Sequence, residues 1–304
     1  MSEPRAPAFK RLSSVSLGVW GLLAANVAAL GLAPIASPRL IIVLLAAALG
    51  SFALVCPIAS VRVCAGYTVA FVAFAQLRAI ENDAGLPVHF DYVAALDKGL
   101  FLGTSPTVWL QEHLYDVGAV DALDVACAVV YLSYFLVPHV AALLLWQRGR
   151  PQFLRYVFAL FATAYASLVV ALFAPTAPPW LAGENGVLPY VARVVKDVIN
   201  GVDRSAYGQG HHVVGANDVA AMPSVHMAMT VLVAAAAWQG GRRVRLAVVA
   251  YALAMAFSLV YAGEHYVVDV AAGTILALVA WRVASRIPAR LSARLGLTAT
   301  PAGS

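Results

Sequence analysis

Four ionisable residues stand in or at the rim of long apolar runs, where a spanning sequence rarely keeps them: His226, Glu264, His265 and Asp269. Met222-Pro223-Ser224-Val225-His226 opens one run, and Tyr261-Ala262-Gly263-Glu264-His265-Tyr266-Val267-Val268-Asp269 joins the next two. His265 and Asp269 are four apart, so on a helix they share a face; the carboxylate holds one ring nitrogen and leaves the other as a nucleophile. Pro223 suits a first helical position, and the N–H groups that follow it form an anion site at a helix N-terminus. These are the parts of phosphoryl transfer through a phosphohistidine. His265 attacks phosphorus, and His226 protonates the leaving oxygen and later deprotonates the acceptor. This chemistry needs no metal and no other cofactor. Helix-end residues reaching into lipid headgroups would explain any one of the four alone, and explain the set at these spacings far less well.

The elements that position these residues are membrane helices. Of 304 residues, 62% are hydrophobic and 12% charged, with mean hydropathy +0.81, which excludes a soluble globular domain, disorder, a coiled coil and a disulfide scaffold. Cys56, Cys64 and Cys127 lie in apolar runs without the pairing of a metal or redox motif and read as buried thiols. The net charge of +5 lacks the clustered basic face of a nucleic-acid binder, so no nucleic-acid partner is expected. The sequence predicts an all-α polytopic membrane protein with about eight transmembrane helices, near 15–35, 39–57, 61–80, 117–146, 153–174, 221–239, 244–263 and 265–285. The first run follows Arg5, Lys10 and Arg11 but is longer than a signal-peptide core, and reads as a retained span.

Basic residues orient the bundle. With both termini cytoplasmic, Arg39, Arg78, Lys98, Arg193, Lys196 and Arg204 fall outside and the other 14 of the 20 Lys and Arg fall inside, while of the 15 acids only Glu3 is inside. The expected location is the cell membrane, multi-pass, with the histidines at its extracytoplasmic face and the inner basic loops against anionic headgroups. Residues 81–116, with Pro87, Gly99, Gly103 and Pro106, read as an interfacial or re-entrant element. Residues 175–220 open on a proline cluster and carry a helix near 188–202. The expected organisation is N-terminal transmembrane helices over 1–60, a catalytic membrane domain over 61–290 and a cytoplasmic tail over 291–304.

Pro-Ser-Val-His at 223–226 and His-Tyr-Val-Val-Asp at 265–269 resemble the second and third signature motifs of the phosphatidic acid phosphatase type 2 superfamily. The resemblance implies a six-helix phosphatase-type core from about residue 61, with His226 as acid, His265 as nucleophile and Asp269 as its orienting partner. Two departures stand out. The third motif's Arg after Ser is Leu259, following Ser258, and the first motif's Lys-x6-Arg-Pro has as its nearest match Lys196 and Arg204, with seven residues between them and Ser205 next. Ala-Pro-Thr-Ala-Pro-Pro-Trp at 174–180 and Tyr261 are similar to the inositol phosphorylceramide synthase branch and its bacterial relatives, and Glu264-His265-Tyr266 is similar to sphingomyelin synthases. Those groups move a phosphorylated headgroup between lipids. The resemblance thus implies a phospholipid donor and a lipid alcohol acceptor, an inositol phosphate among the candidate headgroups, and substrate contacts from Ser224, Tyr261 and Glu264. A lipid phosphatase acting on phosphatidate or a polyprenyl pyrophosphate is the alternative; a scaffold or transporter is disfavoured by the intact His226, His265 and Asp269.

Arg193, Lys196 and Arg204 precede the His226 motif and either hold phosphate oxygens or face solvent on an amphipathic helix. His211 and His212, with no third ligand near, read as exposed loop residues, and His89, Asp91 and Asp97 as solvated, with a sugar-hydroxyl contact as the other reading of the two acids. Trp109, Trp146, Trp180, Trp238 and Trp281 fit aromatic belts. Asp121 and Asp124 fit a helix N-terminus. Donor, acceptor and oligomeric state are not legible in the chain.

Overall fold

A computed structural model describes residues 58–80, 86–148, 150–202 and 218–286, and the chain divides into two compact units, Met1–Val69 and Ala70–Ser304. The expected spans near 15–35 and 39–57, and with them Cys56, Arg204, His211 and His212, lie outside the described residues.

The described residues form helices with only isolated β-bridges. In chain order they are α1 (Ile58–Ile80), α2 (Asp91–Leu100), α3 (Pro106–Leu114), α4 (Ala122–Leu132), α5 (Val137–Arg148), α6 (Arg150–Phe173), α7 (Pro179–Glu184), α8 (Val194–Val202), α9 (Val225–Ala237), α10 (Arg242–Tyr261) and α11 (Val267–Ala284). Three segments are long and apolar enough to cross a membrane: Pro151–Phe173 in α6, α10 and α11. A fourth is the broken pair Ala122–Phe135 and Val137–Arg148, bent by 49°. The single span expected over 117–146 is therefore two helices. The break precedes Pro138, which lacks the N–H that would continue the ladder from the preceding turn. Val63–Phe74 and α9 are apolar but shorter, so the described residues show three or four candidate spans where the sequence suggests six of its eight.

Helix α9 packs against α5, α6, α10 and α11. Its residues His226 to Val233 are all buried, as a helix that is apolar all round must be when it is surrounded by others. Lining the opposite case, Leu246, Leu253, Ile275, Leu278, Val279 and Val283 on α10 and α11 expose large apolar side chains, which suits lipid contact. The close fit of α11 on α9 depends on Gly273: a Cβ there would collide with the Ser224 carbonyl oxygen.

The region expected as an interfacial element is a pair of short helices, α2 and α3. Helix α2 turns Val93, Ala94 and Asp97 inward and packs on α11. Between the two helices, Leu102 and Gly103 take positive φ, at 55° and 91°. Further along the chain, the helix expected near 188–202 begins later, at Val194. The proline-rich stretch before it makes extended bridges: Thr176 pairs with His89 on one side and Ala220 on the other, with Ala221 N–H donating to the Thr176 carbonyl at 3.1 Å.

Candidate active site

The connection between α10 and α11 carries His265, and two apolar clusters hold its ends. Tyr261 and Ala262 pack with Cys127, Ala192, Val194 and Val195; Tyr266 packs with Val93, Ala94, Trp180 and Val191. Gln111, buried on α3, ties the same connection down by donating to the Tyr261 and Ala192 carbonyls at 2.8 and 3.0 Å and accepting from Ala192 N–H at 2.8 Å. Gly263 lies at φ +75°, and a Cβ on it would meet the Ala192 carbonyl oxygen at 2.7 Å, so both conformation and space require glycine.

Helix α11 starts at Val267, not at His265. The histidine therefore stands before the helix, and Asp269 sits in its first turn, with Oδ2 accepting Tyr266 N–H at 2.9 Å. This revises the expected shared helix face. The His265 ring is held chiefly by backbone: Nδ1 lies 2.8 Å from the Ala221 carbonyl oxygen and 3.6 Å from Asp269 Oδ2. A carbonyl only accepts, so the proton is on Nδ1 and the lone pair is on Nε2. Nε2 faces His226 Nδ1 at 3.4 Å. Asp269 is fully buried, and its Oδ1 has no hydrogen-bond partner among the described residues.

His226 is one residue inside α9. Ser224 caps that helix, its Oγ accepting Met227 N–H at 3.3 Å, so Pro223 precedes the cap and is not the first helical residue as its type suggests. The Ser224 N–H donates to the Asp269 carbonyl at 3.1 Å, which joins the two motifs through backbone. The His226 ring stacks on Tyr131, with centroids 4.5 Å apart, and tilts against Tyr134 at 4.3 Å. Its Nε2 is buried without a partner among the described residues.

The two rings open onto a small cleft. Its lining combines apolar Phe74, Leu168 and Ala171 with polar Arg193, Asp218 and Glu264, and includes Arg78 and Trp180. Arg193 donates from Nε to Glu264 Oε1 at 2.9 Å, lies 3.2 Å from Asp218 Oδ1 and covers the Trp180 ring at 4.1 Å. Trp180 is thus a buried platform beside the site, not a member of an aromatic belt.

The structure brings His226, His265, Glu264 and Arg193 to one cleft, with Asp269 behind His265 and Ser224 at the cap beside them. Tyr261 is placed elsewhere: its hydroxyl donates to Asp124 Oδ1 at 2.6 Å and lies 3.1 Å from the Leu114 carbonyl oxygen, in the packing behind the connection. Lys196 is exposed on α8 and does not line the cleft.

Asp97 is not solvated. It is fully buried, and its two oxygens accept the N–H groups of Val267 and Val268 at 3.0 and 2.9 Å, so it caps α11 from another helix. Burial pushes its carboxyl above the usual aspartate range, against the pull of those two N–H groups and aided by the Asp269 charge. Arg78, Tyr131 and Asp218 join the site from segments that the motifs do not mark, and Trp180 from the end of the 174–180 motif. For Arg78 the one available signal was a cation closing an apolar helix. Among the described residues no three His, Cys, Asp or Glu side chains form a group suited to a metal.

No curated protein and no solved structure matches the chain. The PAP2 superfamily model matches residues 91–283, more than half of the chain and all of the segment from Asp97 through His226 to Asp269. The chain belongs to the PAP2 superfamily, and is an enzyme of its lipid phosphatase or phosphotransferase type.

Proposed function

We propose that the protein moves a phosphorylated headgroup, with inositol phosphate among the candidates, from a phospholipid donor to a lipid alcohol. The observation that carries the reading is the His265 ring, its Nδ1–H on the Ala221 carbonyl and its Nε2 toward His226. Nε2 attacks phosphorus and the bond from phosphorus to the donor's glycerol oxygen breaks, with His226 protonating that oxygen. The acceptor alcohol then loses its proton to His226 and attacks the same phosphorus, releasing His265. Asp269, 3.6 Å from Nδ1, stabilises the charge that develops on the ring. At 3.4 Å the two rings leave no room for a phosphoryl group, so binding must part them.

Transfer rather than hydrolysis is favoured by Leu259 in place of the third-motif Arg and by the apolar residues in the cleft lining, which suit lipid chains beside a polar headgroup. The 174–180 motif and Tyr261 favour the inositol phosphorylceramide synthase-like branch. The charge asymmetry of the loops supports both termini in the cytoplasm and the cleft outside, and the domain limits suggested for the chain, 1–60, 61–290 and 291–304, stand as part of this reading.

The test is to incubate the purified protein with mixed phospholipids and lipid alcohols and follow products by mass spectrometry. Headgroup on a second lipid supports transfer. Release of only free phosphate or free phosphorylated headgroup, whatever alcohol is offered, replaces transfer with the phosphatase reading.

A further inference from the structure

Two guanidinium groups line the cleft, and their surroundings differ. Arg193 sits between Glu264 and Asp218 and over Trp180, so its position is fixed and its charge is offset by two carboxylates. Arg78, in the last turn of α1, lines the same cleft near Phe74 and makes no ion pair among the described residues. The two acids of the lining, Asp218 and Glu264, are both on Arg193. Arg78 is therefore the positive charge that remains for a ligand. A partly buried cation beside apolar side chains is unfavourable until an anion joins it. The Trp180 Nε1–H, buried without a partner among the described residues, is a further donor in a residue that lines the cleft.

We propose that Arg78 holds the reacting phosphoryl group and that, as the one uncompensated cation of the described lining, it selects a singly charged phosphodiester over a doubly charged phosphomonoester. The inference rests on reading the cleft as the phosphoryl-transfer site. A phosphodiester carries one negative charge, which Arg78 matches. A phosphomonoester carries roughly 1.5 to 2 negative charges at neutral pH. Its second charge would share the cleft with the Asp218 and Glu264 carboxylates, while the other guanidinium is already committed to them. Arg193 then has a different job: it positions the loop around Glu264 and His265 and is no primary anion ligand.

The test uses full-length protein with His265→Ala, which binds without turning over, titrated in detergent by tryptophan fluorescence. The probes are dihexanoylphosphatidylglycerol, a diester, and dihexanoylphosphatidate, a monoester. The parent should bind the diester at least about tenfold more tightly. Adding Arg78→Gln should weaken the diester about tenfold or more, and Arg78→Lys should restore most of it. Adding Asp218→Asn, which releases part of the Arg193 charge, should raise phosphatidate affinity several-fold relative to the diester. A parent that prefers phosphatidate, or an Arg78→Gln variant that binds both lipids as the parent does, overturns the proposal. Should Arg78→Gln fail to fold, Asp218→Asn decides, and an unchanged ratio overturns it. Failure of the underlying reading is distinct: it would show as His265→Ala retaining turnover in protein with Arg78 intact.

Discussion

His265 is oriented more closely by a carbonyl than by its carboxylate, at 2.8 Å from Ala221 against 3.6 Å from Asp269, and this ranks the expected effects of substitution. His265→Ala removes the nucleophile and should cut turnover by about 10⁴-fold or more. His226→Ala removes the proton carrier, a loss of about 10²–10⁴-fold. Asp269→Asn should cost less than His265→Ala, because the Ala221 carbonyl still fixes the tautomer. Rates of folded, detergent-purified variants check the order; near-normal turnover in either histidine variant would refute the mechanism. With the phosphoryl group held by Arg78 and N–H donors, EDTA should leave the rate unchanged, and loss of activity restored by a divalent ion would contradict this. The histidines and Asp269 were legible in the sequence because ionisable groups stand out against apolar runs. Arg78 and Asp97 were not, since their significance lies in what the fold brings near them from far away in the chain: Arg78 lines one cleft with His226 and His265, and Asp97 meets Val267 and Val268, 170 and 171 residues on.

At the scale of elements, the site depends on how α11 begins and how closely it meets α9. Gly273→Ala should push the Ser224 backbone away, destabilise the protein by about 1–3 kcal/mol and lower activity together with stability. Thermal unfolding in detergent measures it, and an unchanged midpoint with full activity would show that the two helices have slack. Asp97 makes a second prediction. Its folded carboxyl titrates above the unfolded value, so the folded state binds the proton more tightly, and the stability this contributes is present at low pH and lost as pH rises through the folded value. Asp97→Asn should remove that pH-dependent fall above the ordinary aspartate range; equal slopes in both proteins would contradict it. Helix positions were readable from the length of the apolar runs, and α6, α10 and α11 lie close to the expected spans. Their ends were not, because caps decide them. Ser224 and Tyr266 begin their helices at Val225 and Val267, one residue before His226 and two after His265, which periodicity does not reveal.

For the whole molecule, the loop charges predict that the cleft faces outward, where the phosphoryl donor must itself be a lipid and no nucleotide is needed. In a cysteine-free background, a membrane-impermeant thiol reagent on intact cells should label a cysteine at Gly215 and spare one at Gly241; the reverse would invert the topology. The break in the span over 117–146 was hidden from the sequence because both halves are apolar, and composition alone does not report a 49° turn. The central claim, that His265 carries the phosphoryl group between two lipids, is tested most directly by trapping it. Protein given a phospholipid donor without acceptor, quenched and digested, should carry the phosphorylated headgroup on the peptide that contains His265, and the adduct should disappear when a lipid alcohol is added. An adduct on another residue, or one that persists in His265→Ala, would contradict the account.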